Sequence, residues 1–188
     1  MTLLQRRDEG LSSHGYAVSD LATATATTME LDTHEVNRIG TAALLHDIGK
    51  VAVPDAILRK STPLSAQERG VLREHVELGE QILEASPFLY DLKPAVRHHH
   101  ERFDGSGYPD QLCGADIPQA ARIIAVAEAY DFMQRDLPYQ AGCSAEEALT
   151  EVCRGAGSQF DPAVVEAFCA MLTRQQQEIK APHHGLFV

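Results

Sequence analysis

Apolar residues return at helical spacing in seven stretches of this 188-residue chain, near 11–30, 35–47, 65–85, 88–99, 119–134, 145–154 and 161–178. No stretch alternates convincingly with a period of two, so the core has to form between helices and the expected fold class is all-α. Helix starts are written in the same sequence. Ser65-Ala66-Gln67-Glu68 and Ser144-Ala145-Glu146-Glu147 fit the capping box, and Asp161-Pro162 fits an N-cap followed by proline at the first helical position. The Gly- and Pro-rich stretches at 104–118 and 155–162 interrupt the pattern and read as loops.

Several of these helices carry polar residues where apolar ones are expected. His46 shares a face with Ile39, Ala42 and Ala43, and Asp47 follows it late in the same helix. His75 falls in line with Val71, Leu72, Gly79 and Ile82, and His14 with Leu11, Val18 and Leu21. Glu128 sits among Ile124, Ala125 and Phe132. A buried polar group is costly unless it is paired or bound to a metal. Taken singly, each is most simply a hydrogen-bonded core residue or the edge of a solvated face. Five histidines and two carboxylates on inward faces, His99 and His100 included, are better explained as ligands. Mixed nitrogen and oxygen donors suit iron, manganese, zinc, cobalt or nickel.

Composition narrows the function. A formal charge of −11 argues against general nucleic-acid binding, which needs a cationic surface. It does not exclude a small anionic substrate, because bound divalent ions reverse the local field. No run of apolar residues is long enough for a membrane span, and residues 1–11 are too polar for a signal peptide. Cys113, Cys143, Cys153 and Cys169 form no Cys-x-x-Cys pair and read as reduced thiols of a cytoplasmic protein. The length suits one domain. Residues 1–13 are read as a lead-in, 14–174 as the domain and 175–188 as a peripheral tail.

Two motifs carry the most specific signal: Leu44-Leu45-His46-Asp47-Ile48-Gly49-Lys50, and His99-His100-Glu101-Arg102-Phe103-Asp104-Gly105-Ser106-Gly107-Tyr108-Pro109. Together they resemble the signatures of the HD-GYP family, a bacterial branch of the HD metal-dependent phosphohydrolases, over about residues 14–168. The resemblance implies an HD-domain helical bundle with an irregular loop at Gly105–Pro109. It also implies hydrolysis of cyclic di-GMP, or a related cyclic dinucleotide, to pGpG or GMP.

Matched position by position, the family's metal ligands become His14, His46, Asp47, His75, His99, His100 and Glu128. In the simplest partition His14, His46 and Glu128 hold one divalent ion and His75, His99 and His100 the other, with Asp47 bridging. Iron or manganese is favoured, with zinc, nickel and cobalt as alternatives. Lys50 becomes the neighbour of the substrate phosphate and Asp47 and Lys50 the catalytic pair, while Tyr108 faces substrate or a GGDEF-domain partner. Arg122, and the block Gly157-Ser158-Gln159-Phe160-Asp161-Pro162, are assigned to the fold. No ligand position matches His34, His98, His183 or His184, which are read as surface residues or as supports behind the ligands.

The chain also departs from the family. Glu128 stands where Asp is usual, and Asp131, on the same helical face, is expected to support the ligands. A third-metal Glu is replaced by Gly10, so two ions are expected. Leu137 and Gln140 flank Pro138-Tyr139 where the family usually carries cations that hold the dinucleotide phosphates, and Phe132 replaces a small residue. These changes imply weak activity or an altered substrate. They leave open a rival reading, a non-catalytic signalling module that binds a cyclic dinucleotide or a GGDEF partner. A nucleotidase of the wider HD superfamily is a third possibility, which the Gly105–Pro109 loop disfavours. An upstream sensor domain is usual in the family and none is visible, so the chain is either an isolated output domain or part of something longer.

Overall fold

The computed structural model describes residues 9–136 and 141–180. Helices run in the order α1 (Glu9–Thr28), α2 (Thr33–Leu45), α3 (Asp55–Leu58), α4 (Ala66–Arg73), α5 (His75–Glu84), α6 (Lys93–His98), α7 (Gln119–Met133), α8 (Ala145–Arg154) and α9 (Pro162–Lys180). Short 3₁₀ turns occupy Ile48–Ala52, Tyr90–Leu92 and Gly114–Asp116. Among the described residues no β-strand forms; one isolated bridge joins Ala156 to Phe160.

α1 and α7 provide the framework. α1 packs against α2, α7 and α9, while α6 touches α2, α5 and α7. Val18, Ala22 and Ala26 of α1 meet Ile39, Ala42 and Ala43 of α2 and Ile123, Ile124, Val126 and Ala127 of α7 in one continuous core. Small residues at five of these ten positions let the helix axes approach closely. Phe168 of α9 closes the far side, with its ring edge-on to Tyr130 at 5.0 Å.

The sequence signals for helix starts correspond to real caps. Ser65 and Ser144 each accept from the amide three residues on, at Glu68 and Glu147, and those glutamates bond back to the serine amides. Asp161 accepts from the Ala163 amide at 2.9 Å. Its other carboxylate oxygen accepts from Arg122, whose Nε donates to the Ile117 carbonyl at 2.9 Å, so Arg122 ties α7 to the start of α9.

Four expectations are corrected. The stretch near 65–85 is two helices that break at Glu74, and the stretch near 88–99 is helical only over Lys93–His98 after a 3₁₀ turn. α2 ends at Leu45, so His46 and Asp47 lie at and just beyond its end. Ile82 and Phe132, expected on inward faces, are 39% and 51% exposed. Leu137, Gln140, His183 and His184 lie outside the described residues.

Candidate metal centre

Three histidines share one structural device. His46 caps α2, His99 caps α6, and His75 opens α5 directly after the break at Glu74. Each ring donates from Nδ1 to the carbonyl three residues earlier: His46 to Ala43 at 2.6 Å, His75 to Leu72 at 2.7 Å and His99 to Val96 at 2.7 Å. Carbonyls in the last turn of a helix lack the usual amide partner four residues on, so each keeps a lone pair for these bonds even where a nearer amide also donates, as that of His46 does to Ala43 at 3.4 Å. The consequence is chemical. With the proton held at Nδ1, the Nε2 lone pair of each ring points away from its own helix. The interruption at Glu74, invisible to periodicity, is what supplies His75 with such a carbonyl.

All three Nε2 atoms are buried without a hydrogen-bond partner, and so is Oδ1 of Asp47. They converge. His46 Nε2 lies 3.3 Å from Asp47 Oδ2, and His75 Nε2 lies 3.4 Å from Asp47 Oδ1, so the carboxylate stands between the two rings. Glu128 reaches in from α7, with Oε1 4.0 Å from His46 Nε2 and Oε2 3.9 Å from His100 Nδ1. Neighbouring imidazole centroids are 5.2 Å apart for His14–His46, 5.1 Å for His46–His99 and 4.1 Å for His99–His100. Two sets of ligand atoms, His14–His46–Glu128 and His75–His99–His100, each gather within 4.8 Å. Buried imidazole nitrogens and carboxylate oxygens that face one another without partners fit divalent cations.

The electrostatics point the same way. Burial alone would lower the affinity of His46 for a positive charge, but Asp47 and Glu128 outweigh it and lift its pKa to about 9. Burial would raise Asp47, yet Lys50, His46 and His75 hold it well below the usual carboxylate range. Burial lowers His75 to about 4 and keeps His99 and His100 below the ordinary histidine value. The pocket therefore favours neutral rings at His75, His99 and His100 beside an ionised Asp47, while His46 holds a proton that it would release when a cation binds.

One glycine makes the approach of Asp47 to His75 possible. A Cβ on Gly49 would lie 1.9 Å from the His75 carbonyl oxygen and 2.5 Å from the Gly79 amide nitrogen. Only a residue without a side chain lets the 48–52 turn lie against α5. Lys50 from that turn places Nζ 2.6 Å from Asp47 Oδ2, so its ammonium sits at the edge of the cluster.

The Gly105–Pro109 loop is anchored rather than pliant. The Phe103 and Asp104 amides donate to the Gln159 and Ser158 carbonyls at 3.1 and 2.8 Å. Asp104 accepts from both the amide and the hydroxyl of Ser106. Glu101, 4% exposed, takes the Asp110 amide at 2.7 Å. A Cβ on Gly107 would lie 2.6 Å from Glu101 Cα, so the loop packs directly on the His-His-Glu backbone. Tyr108 is thereby stacked on His100, with centroids 4.9 Å apart at 26°. Burial and the negative field of Glu128 push its phenol up, so it remains neutral at physiological pH.

Asp131 receives His14 Nδ1 at 2.6 Å and is itself held by Arg135. Of the unmatched histidines, His34 is exposed and His98 bonds to Asp110 at 2.9 Å, away from the cluster. Glu101 and Arg135 received no role from the sequence. The carboxylate immediately after two adjacent histidines is the signal for Glu101, since at the end of a short helix it cannot avoid the interior. For Arg135 the signal is its spacing of four from Asp131.

Fold and site together define a helical domain built around a His/carboxylate cluster assembled at helix ends. The chain belongs to the HD-domain family, whose model matches residues 1–164, and its His46-Asp47 and Gly105–Pro109 motifs place it in the HD-GYP branch. It is 38% identical over 166 residues to the cyclic di-GMP phosphodiesterase response regulator RpfG of Xanthomonas campestris, covering 87% of this chain and 44% of that one. It is 40% identical over 134 residues to the 3'3'-cGAMP-specific phosphodiesterase 2 of Vibrio cholerae, covering 70% of this chain and 26% of that one. The chain thus spans less than half the length of these relatives. An HDGYP protein from Bdellovibrio bacteriovorus shares the fold, with a TM-score of 0.70 at 22% identity over 87% of this chain and 52% of that one. No helix among the described residues is long and apolar enough to cross a membrane.

Proposed function

We propose that this chain hydrolyses a phosphodiester bond of cyclic di-GMP to give pGpG or GMP, slowly and in a metal-dependent reaction. The observation that carries the reading is the convergence of seven ligand-type side chains, four of which (His46, Asp47, His75 and His99) bury an Nε2 or Oδ1 atom without a hydrogen-bond partner. Relatives named as cyclic di-GMP and cGAMP phosphodiesterases support the substrate class.

His14, His46 and Glu128 would hold one divalent ion and His75, His99 and His100 a second, with Asp47 shared between them. Iron or manganese is favoured. When bound, such a pair activates a water and polarises the attacked phosphoryl group. The chain's own contribution is to hold the geometry and supply charge. The Nδ1 bonds of His46, His75 and His99 keep three lone pairs aimed inward without reorganisation. Lys50, poised at the cluster edge, stabilises negative charge developing on the phosphoryl oxygens. The neutral phenol of Tyr108, fixed on His100, is available as a hydrogen-bond donor to substrate.

A second reading is a binding module for a cyclic dinucleotide or a GGDEF-domain partner at the Tyr108 loop. Its support is Leu137 and Gln140, which are uncharged where the family resemblance implies phosphate-holding cations. Turnover assays after anaerobic loading with iron or manganese, run with cyclic di-GMP, 3'3'-cGAMP and cyclic di-AMP, separate the two. Linear product from cyclic di-GMP supports the phosphodiesterase. Binding of any of the three without turnover transfers the case to the module.

A further inference from the structure

Three cations whose contacts lead to candidate ligands or to the carboxylate supporting one differ in what they already hold. Lys50 is paired with Asp47 at 2.6 Å. Arg135 is committed to both oxygens of Asp131. Arg73, at the end of α4 and two residues before His75, is exposed and makes neither an ion pair nor a hydrogen bond among the described residues. Its guanidinium instead lies 4.7 Å over the ring of Tyr108, which is stacked on His100 at 4.9 Å. The positive charge is thus two stacking steps from a candidate ligand, with its N–H donors unclaimed.

A cyclic dinucleotide carries two phosphodiesters. The metal cluster and Lys50 address the one being cleaved. The other brings a negative charge onto a protein with a formal charge of −11, and at positions 137 and 140, where the family resemblance implies cations, the sequence has Leu and Gln. A guanidinium spread on an aromatic ring is weakly hydrated and keeps its in-plane donors free for bidentate contact with phosphate oxygens. We propose that Arg73 is a substrate-binding residue that contacts the phosphodiester not being cleaved and takes over the charge missing at positions 137 and 140. The inference rests on the cyclic-dinucleotide reading above.

The test uses the metal-loaded chain and the variants Arg73→Ala, Arg73→Lys and Arg73→Ala/Leu137→Arg. Initial rates are measured with cyclic di-GMP, 3'3'-cGAMP and cyclic di-AMP, and anisotropy with a fluorescent cyclic di-GMP analogue. Arg73→Ala is expected to raise KM by about tenfold or more, similarly for every dinucleotide turned over, with kcat within about twofold. Arg73→Lys should fall between wild type and Arg73→Ala, and the added Leu137→Arg should recover part of the loss. Melting curves on the same samples check folding, and a collapse of Arg73→Ala leaves Arg73→Lys to decide. A KM and analogue affinity within twofold of wild type in both single variants would overturn the proposal. A loss confined to guanine-containing substrates would also overturn it, assigning Arg73 to a base edge. If wild type binds the analogue without turnover, the phosphodiesterase reading fails and the anisotropy arm still decides Arg73. If wild type neither binds nor turns over any dinucleotide, both fail.

Discussion

Asp131 accepts a hydrogen bond from Nδ1 of His14 at 2.6 Å, joining the last turn of α7 to the first half of α1. The carboxylate has no freedom to turn away, because Arg135 bonds to both of its oxygens and also reaches Ser13 at 3.2 Å. His14 therefore presents Nε2 through the support of an ionised carboxylate. This is the role the other three ring-capped histidines obtain from backbone carbonyls.

Removing that support should be felt in metal affinity. Asp131→Ala leaves His14 free to rotate and is expected to weaken metal binding about 10–100-fold, while far-ultraviolet circular dichroism stays native. Competition against a metallochromic chelator reads the affinity directly. Asp131→Asn should retain more affinity than the alanine variant, since its amide oxygen still accepts from Nδ1.

Asp47→Ala should abolish hydrolysis of cyclic di-GMP. Its two oxygens face His46 Nε2 at 3.3 Å and His75 Nε2 at 3.4 Å, and no other described carboxylate lies between those rings. Without it two cations would repel each other across the gap. Product formation in loaded samples, followed by chromatography, is the measurement.

Gly49→Ala should destabilise the domain although it adds one methyl group. The new Cβ would fall 1.9 Å from the His75 carbonyl oxygen, a backbone atom that cannot move aside without α5. Overpacking of this kind costs about 1–3 kcal/mol or more. Because the 48–52 turn must retreat, metal affinity should fall together with the urea midpoint. Gly70→Ala, where an added Cβ meets nothing within 4 Å, is the control and should be neutral or slightly stabilising.

Acid should loosen the start of α4 in a defined window. Lys60, the Ser65 amide and the Ser65 hydroxyl together lower the Glu68 carboxyl from its ordinary 4.5 to about 2. A group with a depressed folded pKa adds stability above its unfolded pKa and loses it as pH falls through the folded value. The contribution of Glu68 should therefore be complete above pH 4.5 and disappear toward pH 2. Carbon-detected NMR titration should give a midpoint near 2, and Glu68→Gln should flatten the pH dependence of stability across that range.

Much of the architecture was legible because its determinants are local. The capping serines Ser65 and Ser144 and the spacing of apolar residues in α1, α2 and α7 act within a few residues of one another. The approach of Gly49 to His75 is a contact between elements 26 positions apart, and no periodicity encodes it. Periodicity misses the break at Glu74 for a related reason. Neither glycine nor proline marks it, and a side chain of the next element takes the Leu72 carbonyl. Phe132 shows the opposite failure: its spacing from Glu128 puts it on the inward face, but it is half exposed while Tyr130 and Met133 hold that end of α7 to the core. The candidate ligands could be named from residue type and motif. Their orientation, with Nδ1 committed and Nε2 free, came only from the helix ends.

The central claim is that seven side chains hold two metal ions. Elemental analysis of chain loaded anaerobically with iron or manganese, then freed of excess metal, tests it most directly alongside His14→Ala/Glu128→Ala and His75→Ala/His100→Ala. The account predicts two ions per wild-type chain and at most one in each double variant. Wild-type protein that retains none, one or three ions, or double variants that still retain two, would contradict it.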